Sequence, residues 1–492
     1  MQRQTIIRLV LLLTVMSQLL SAQEIVKHPD SSLALSQRWD WAKAQANQAK
    51  FKKGYWIGYS IQRLMEENST IGNMRIENGR IVRDGKSLAE LIYGIELPLN
   101  YRTALQEKSS RKVSKDVGLF FLFDPRDGAL AEVKESTFEL SVDFDDFPLL
   151  WLGRASDEPS LELVERLYRN VTSNKTKDEL ICAVGLHSQS PRRRIFLASI
   201  VSGNEATEVR KQAAFWLGQA DDPEALKILR QAAKNDRSTE VRKQAVFAMS
   251  QMDLSEAEEA LFELARAQND REVCKDAIFW LAQRGSARGA AFLKDILNQG
   301  TDTEIQKHAV FALTQLPDKQ GTPVLLDIAE NHRNVTVRKE ALFWLGQSQD
   351  ERALRILKKA ALSDGAMEVR KQAVFALSQM KSTEAEDVLI ELARNQNDRQ
   401  TCKEALFWLA QRASKRAVDL LKETVNNDVD TEIQKQAIFA LTQLPDGDGV
   451  PVLIEIAQTH KNPAVRKAAI FWLGQSEDTR ATDALVKLVR GR

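Results

Sequence analysis

One register position recurs every 32 residues without a slip: Val209, Val241, Val273, Ile305, Val337, Val369, Thr401, Ile433 and Val465. Each copy reads as an amphipathic run such as Val209 to Gln219, a short polar loop, and a second amphipathic run. Self-similarity at a fixed period of roughly 20–50 residues is the mark of a stacked-repeat architecture. Such a chain builds one long surface and no deep central pocket, so the expectation is a molecule that holds something.

On a helical wheel Val209, Ala213, Trp216 and Leu217 share one face, the spacing of a buried stripe. Ala225, Leu226, Leu229, Ala232 and Ala233 do the same in the second run. Residues able to accept from the free N–H groups of a first helical turn precede the second run in eight of nine copies: Asp222, Ser286, Asp318, Asp350, Ser382, Ser414, Asp446 and Asp478. Pro223 follows Asp222 at the favoured first helical position. Ser238, Asp270, Asp302, Asn334, Asp398, Asp430 and Asn462 stand in the same place before the first run. Two helices per period and no strand signal predict an all-α solenoid over residues 209–492.

The copies, Val209 to Gln219 followed by Asp221 to Leu229, resemble short bacterial HEAT repeats and the HEAT-like repeats of phycobilisome lyases. The resemblance implies a right-handed α-solenoid of two-helix repeats and is nearly silent on function. Two degenerate copies are expected upstream, over 145–208. Leu150 to Arg154 with Asp157 to Leu167 mirrors the end of a first helix and a second helix, and Leu180 to His187 mirrors another first helix. A longer period is superposed. Trp216, Trp280, Trp344, Trp408 and Trp472 alternate with Ala248, Ala312, Ala376 and Ala440, and block 209–336 resembles block 337–464 down to Cys274/Cys402 and His332/His460.

Residues 23–144 carry no repeat. Leu33 to Tyr59 begins helical and turns aromatic at Gly54 to Tyr59, while Val117 to Phe123 and Thr137 to Phe144 read as strands. Gly79, Asp84-Gly85 and Asp124 to Gly128 are turn signals. This predicts a small mixed α/β region. Ahead of it, Arg3 and Arg8 flank a short apolar core from Leu9 to Val15, and Ser21-Ala22 offers a cleavage point after Ala22. That pattern predicts a secretory signal over 1–22, too short to span a bilayer. No later apolar run reaches spanning length, and no cysteine at the cleavage point offers a lipid anchor, so a periplasmic or secreted protein is expected.

Charge is balanced, 69 Lys+Arg against 68 Asp+Glu, which argues against a nucleic-acid binder. The cysteines are Cys182, Cys274 and Cys402. The last two share a repeat position four repeats apart; with helix layers roughly 8–10 Å apart, they lie far beyond the ~7 Å that a disulfide bridges. The five histidines (28, 187, 308, 332, 460) show no metal-ligand spacing, and no GxSxG or P-loop occurs, so no catalytic residue, cofactor or metal is expected. Asp143, Asp145 and Asp146 form a small acidic cluster whose plainest reading is a loop, with a cation site as the alternative.

Several ladders compete as interaction surfaces. The Trp/Ala alternation reads as large-against-small packing. Phe recurs at 215 and eight equivalent positions to 471, for lateral packing or as an apolar stripe. Lys211 and its equivalents face solvent beside glutamates three residues earlier. Gln219 and its equivalents are expected to bond loop backbone. The second helices offer the better candidate. Their most exposed position carries Glu263, Asp295, Asp327, Glu391, Glu423 and Glu455, broken by Gln231, Lys359 and Lys487. On HEAT helix order this row is concave and would take a protein partner with an extended or basic segment. The expected function is a non-enzymatic protein-interaction scaffold. A lyase or chaperone of the phycobilisome-lyase type is the alternative. Self-association through the last helix, with Ala481, Leu485, Leu488 and Val489, is a third option.

Overall fold

The computed structural model describes residues 24–73, 75–77, 80–82, 85–97, 111–267, 269–300 and 302–490. The signal segment 1–22 and the turn residues Gly79 and Asp84 lie outside the described residues. The chain divides into two compact units, one ending at Ala257 and one beginning at Glu258.

The first unit opens with β1 (Ile25–Lys27), α1 (Leu35–Ala49), β2 (Tyr55–Glu66), the short hairpin β3 (Arg75–Glu77) and β4 (Arg80–Val82), α2 (Leu88–Tyr93), β5 (Lys112–Phe123), β6 (Leu130–Thr137) and β7 (Leu149–Arg154). Five of these strands form one mixed sheet in the order β1-β7-β2-β5-β6. β7 runs parallel to both β1 and β2, and β5 pairs antiparallel with β2 and β6. One face packs on α2, through a cluster that includes Trp56, Leu88, Ile92, Phe120, Phe138 and Trp151. The other receives α1, whose Trp39 ring meets Phe121 at 5.5 Å and Phe123 at 5.9 Å edge-on.

Here the structure corrects two readings. Leu149–Arg154 is an inner strand of this sheet rather than the end of a repeat helix. Both its faces are covered, so its apolar run lacks the alternation that marks a half-exposed strand. The second strand of the 117–144 stretch is Leu130–Thr137; most of Thr137 to Phe144 is turn and loop.

Helices then take over: α3 (Asp157–Asn170), α4 (Asn174–Gly185) and α5 (Pro191–Val201). The degenerate stretches Asp157 to Leu167 and Leu180 to Leu186 thus fall largely on α3 and α4. From Thr207 onward each of the nine periods contains two helices, from Thr207–Gly218 with Pro223–Asn235 to Pro463–Gly474 with Thr479–Arg490. Their register residues are buried throughout, as are the alanines one turn later. Capping follows the expected positions at Asp222, Ser286, Ser382 and Ser414 before second helices, and at Asp270, Asp302, Asn334, Asp398, Asp430 and Asn462 before first helices. Four expected caps differ. Asp350 stands one residue before the capping position, which Glu351 holds without a side-chain bond, although Asp350 still accepts from the Arg352 N–H at 3.0 Å. Asp318 and Asp446 sit at φ 51° and 54° in short 3-10 turns, and the helices begin later, at Thr322 and Val450. Ser238 precedes its helix without a side-chain capping bond.

Two of the tryptophan copies, 128 residues apart, bring their helix unusually close to the alanine copy that follows. In the first unit Gly218 lies so close to the next first helix that a Cβ there would stand 2.6 Å from Ala248 Cβ and O. In the second unit Gly346 meets Ala376 in the same way. A Trp-Leu-Gly copy therefore packs tightly on an alanine copy.

Candidate partner-binding surface

The second helices present a face opposite their buried Ala/Leu stripe. Within the second unit Asp295, Glu391, Glu423 and Glu455 are exposed on it, and Glu263 and Asp327 are partly exposed. The row is not a bare acidic stripe. Lys294 Nζ lies 3.7 Å from Asp327, Lys358 2.6 Å from Glu391, and Arg394 2.8 Å from Glu423. Each cation comes from the second helix one repeat earlier. Such exposed pairs contribute about 0–1 kcal/mol apiece, but they cancel much of the local field. Among the described residues no cation pairs with Asp295 or Glu455.

The first helices carry the other ladders. Phe279 and Phe311 stack at 6.2 Å with 7° between rings, Phe343 and Phe375 at 6.3 Å, and Phe407 and Phe439 at 6.2 Å. Trp344, Trp408 and Trp472 join the pairs at 5.1, 4.9 and 5.1 Å from Phe311, Phe375 and Phe439. These rings are half-buried, so they pack laterally and also present an edge. The lysines pair with glutamates three residues earlier at 3.0 Å (Lys211), 3.3 Å (Lys275), 3.4 Å (Lys307) and 2.8 Å (Lys435). Four of the nine glutamines differ from expectation. Gln251, Gln315, Gln379 and Gln443 donate to the preceding Ser or Thr hydroxyl at 2.9–3.2 Å, not to loop backbone.

A buried polar device went unseen in the sequence. Arg210 forks onto Asp236 at 3.0 and 2.8 Å, and Arg338 onto Asp364 at 2.9 Å through both Nε and Nη2. Arg338 Nη1 also donates to His332 O at 2.7 Å. These pairs join the first helix of a repeat to the turn after its second helix. The signal available was an Arg directly after a core Val, with an Asp 26 residues on. Beside each pair lies a cleft between second helices, 590 Å³ near Gln231 and 320 Å³ near Lys359. His332 and His460 are structural too: Nε2 contacts the carbonyls of Leu297 and Val425 at 2.8 and 3.0 Å, and Nδ1 accepts from Asn334 and Asn462 N–H.

One arrangement resembles a nucleophile with its base. His187 Nε2 lies 2.7 Å from Ser160 Oγ, which lies 2.8 Å from the Tyr59 hydroxyl. All three side chains are fully buried, so no substrate reaches them. Burial, partly offset by Asp157, pushes the His187 imidazole down to about 4. The relay ties β2 to α3 and α4 rather than doing chemistry. Among the described residues no group of three His, Cys, Asp or Glu side chains is placed to hold a metal. The thiols of Cys182, Cys274 and Cys402 are free. No helix among the described residues is long and apolar enough to cross a membrane.

The family of HEAT repeats matches residues 196–282, 290–378, 359–441 and 419–491, together more than half of the chain. No curated protein matches the sequence. Among solved structures, human deoxyhypusine hydroxylase is similar at 18% identity over 63% of this chain and 96% of that one, with TM-score 0.22. Yeast importin-beta, Kap95p, is similar at 10% identity over 68% of this chain and 53% of that one, with TM-score 0.34. Kap121p bound to Ste12p is similar at 12% identity over 64% of this chain and 41% of that one, with TM-score 0.36. At such identities and TM-scores these likenesses assign neither activity nor partner.

Proposed function

The chain belongs to the HEAT-repeat family, and from that premise we propose that it is an exported, non-enzymatic scaffold that holds a protein partner along the surface of its repeats. The observation that carries this reading is the second-helix face, which presents Asp295, Glu391, Glu423 and Glu455 to solvent at one equivalent position of different repeats. Side chains repeated at a fixed interval suit an extended segment that repeats its own contacts. A basic segment would compete with Lys294, Lys358 and Arg394 for their carboxylates. It would meet Asp295 and Glu455 unopposed. Export rests on the basic and apolar pattern before Ala22.

The test compares the mature chain with a variant carrying Lys at 263, 295, 327, 391, 423 and 455. Both serve as bait in a cell-envelope extract, and affinity for any captured partner is then measured with purified proteins. A partner bound by the mature chain and lost on charge reversal supports the reading. Equal affinity for both baits removes the acidic row as the site. A coloured tetrapyrrole co-purifying with the chain would favour a lyase instead. Removing residues 23–144 is not a clean control, because it takes β2, β5 and β6 away from β7. Point variants on the sheet are the better means of asking whether that region binds.

A further inference from the structure

The sheet of the first unit ends at β6, an edge strand. Helix α4 covers part of that edge: the Val133 N–H donates to Glu179 Oε2 at 2.9 Å, and Thr176 Oγ1 donates to Ala131 O at 3.5 Å. A cleft of about 1060 Å³ opens alongside. Asp143 and Asp146, the acidic cluster singled out in the sequence, stand on its wall; Glu135 of β6 and Glu179 of α4 also line it.

The cations of this cleft are already engaged. Lys134 Nζ donates to Asp143 O at 2.8 Å and lies 3.8 Å from Asp145 and from Glu132. Lys175 reaches Glu179 at 3.5 Å, and Lys86 reaches Glu90 at 3.9 Å. Glu135 is different. Its Oε1 is shut off from solvent and has no hydrogen-bond partner among the described residues. Glu179 stands near it as a like charge, and Asp178 and Cys182 of the same helix add no cation. A buried carboxyl oxygen without a partner is uncommon; such a group either keeps its proton or takes a cation, and this one belongs to a side chain that lines an open cleft.

We infer that this cleft is a binding site for an organic cation, an alkylammonium or guanidinium group seated against Glu135 and Glu179. A divalent metal fits less well, because hard cations take six or more oxygens and no three metal-capable side chains converge among the described residues. Burial, with Glu179 second, raises the Glu135 carboxyl to about 8. At neutral pH it therefore holds a proton that an incoming cation would displace. The group can arrive on a free polyamine or on a Lys or Arg side chain of a polypeptide; the chemistry is shared. The site is independent of the second-helix face.

Isothermal titration of the whole mature chain tests this, with spermidine, N-acetyl-lysine methylamide, argininamide and calcium as separate probes. Two buffers of different ionisation enthalpy at pH 7 report the proton. The expected result is one saturable site for an organic cation, close to one proton released per cation bound, and affinity rising about tenfold from pH 7 to pH 9, the shift set by one site titrating near 8. E135Q is expected to abolish the proton release and weaken binding at least tenfold, a fold-change above the scatter of such a titration; E179Q is expected to weaken binding as well. Tighter spermidine than amino-acid amides points to a free polyamine, and the reverse to a polypeptide side chain. No binding by any organic cation overturns the inference. So does binding that E135Q and E179Q both leave unchanged, or calcium bound more tightly than every organic cation in a Glu135-dependent way.

Discussion

Gly346 and Gly474 occupy one repeat position in identical local sequence, Phe-Trp-Leu-Gly-Gln-Ser, yet they should respond oppositely to alanine. A Cβ on Gly346 would stand 2.7 Å from Ala376 O, 2.8 Å from its Cα and 2.9 Å from its Cβ. Carbon contacts are comfortable at roughly 3.5–4.0 Å, so the two first helices must part by about 0.6–1 Å, and the obstacle is mainly backbone that cannot swing aside. Overpacking of this kind costs about 1–3 kcal/mol. Alanine's helix preference returns at most about 1 kcal/mol. G346A is therefore expected to lose up to about 2 kcal/mol. A Cβ on Gly474 meets nothing within 4 Å, so only the propensity acts, and G474A is expected to gain roughly 0.5–1 kcal/mol. Repeat arrays need not unfold in one step, so urea midpoints by tryptophan fluorescence should be read beside hydrogen exchange of helices Val335–Gln347 and Pro463–Gly474. Midpoints moving the same way by the same amount would refute the claim that helix approach, and not the residue type, sets this position.

Three further outcomes are expected. Arg338→Ala strands Asp364 in a largely buried site and should cost about 3–5 kcal/mol by urea unfolding, whereas Arg338→Lys keeps the charge and loses the fork, for a smaller loss; an unchanged R338A midpoint would show the pair to be ornamental. His187, pushed down to about 4 by burial against an ordinary 6.5, stays neutral in the fold while the unfolded chain takes up a proton. Stability should thus fall as pH drops from about 6.5 to 4 by on the order of 3 kcal/mol and level off below. Glu135, raised to about 8, acts in the opposite sense, its stabilisation being full below about 4.5 and lost as pH rises towards 8, so the histidine effect should be measured in E135Q; a flat profile there contradicts the buried relay. Finally, Cys274 and Cys402 donate to Ala265 O and Ala393 O at 3.0 Å, and burial pushes both thiols up to about 11. Native protein at pH 8 should label at these two thiols only slowly with a disulfide reagent and quickly in urea, and rapid native labelling at both would mean the helices open there.

What was legible in the sequence depended on whether a residue's neighbours lie within its own repeat. The buried stripe of Val209, Ala213 and Leu217 is written nine times over, and capping residues are local to their helix, so the helix pairs could be read from spacing alone. The exceptions are local as well: Pro317 and Pro445 open a 3-10 turn that carries Asp318 and Asp446 past the capping position. Strand β7 was misread because an inner strand buried on both faces has no period to distinguish it from a buried helical turn. The acidic row was read one helix at a time, and a wheel of one helix cannot show that Lys358 answers Glu391, 33 residues away. The buried Arg210–Asp236 pair escaped for a related reason, since an arginine beside a core valine looks solvated until the turn carrying its aspartate folds over it. Glu135 is the extreme case. Its strand and the helix bearing Glu179 come together only by packing of sheet on helix, so the sequence could point no further than the aspartates 143 to 146 nearby. A ladder has to be read together with the neighbouring repeats, because the charges that answer it sit there, and Asp295 and Glu455 stand out by lacking such a cation among the described residues. The positions that depart from the repeat, or lie outside it, are where this chain's specific chemistry should be sought.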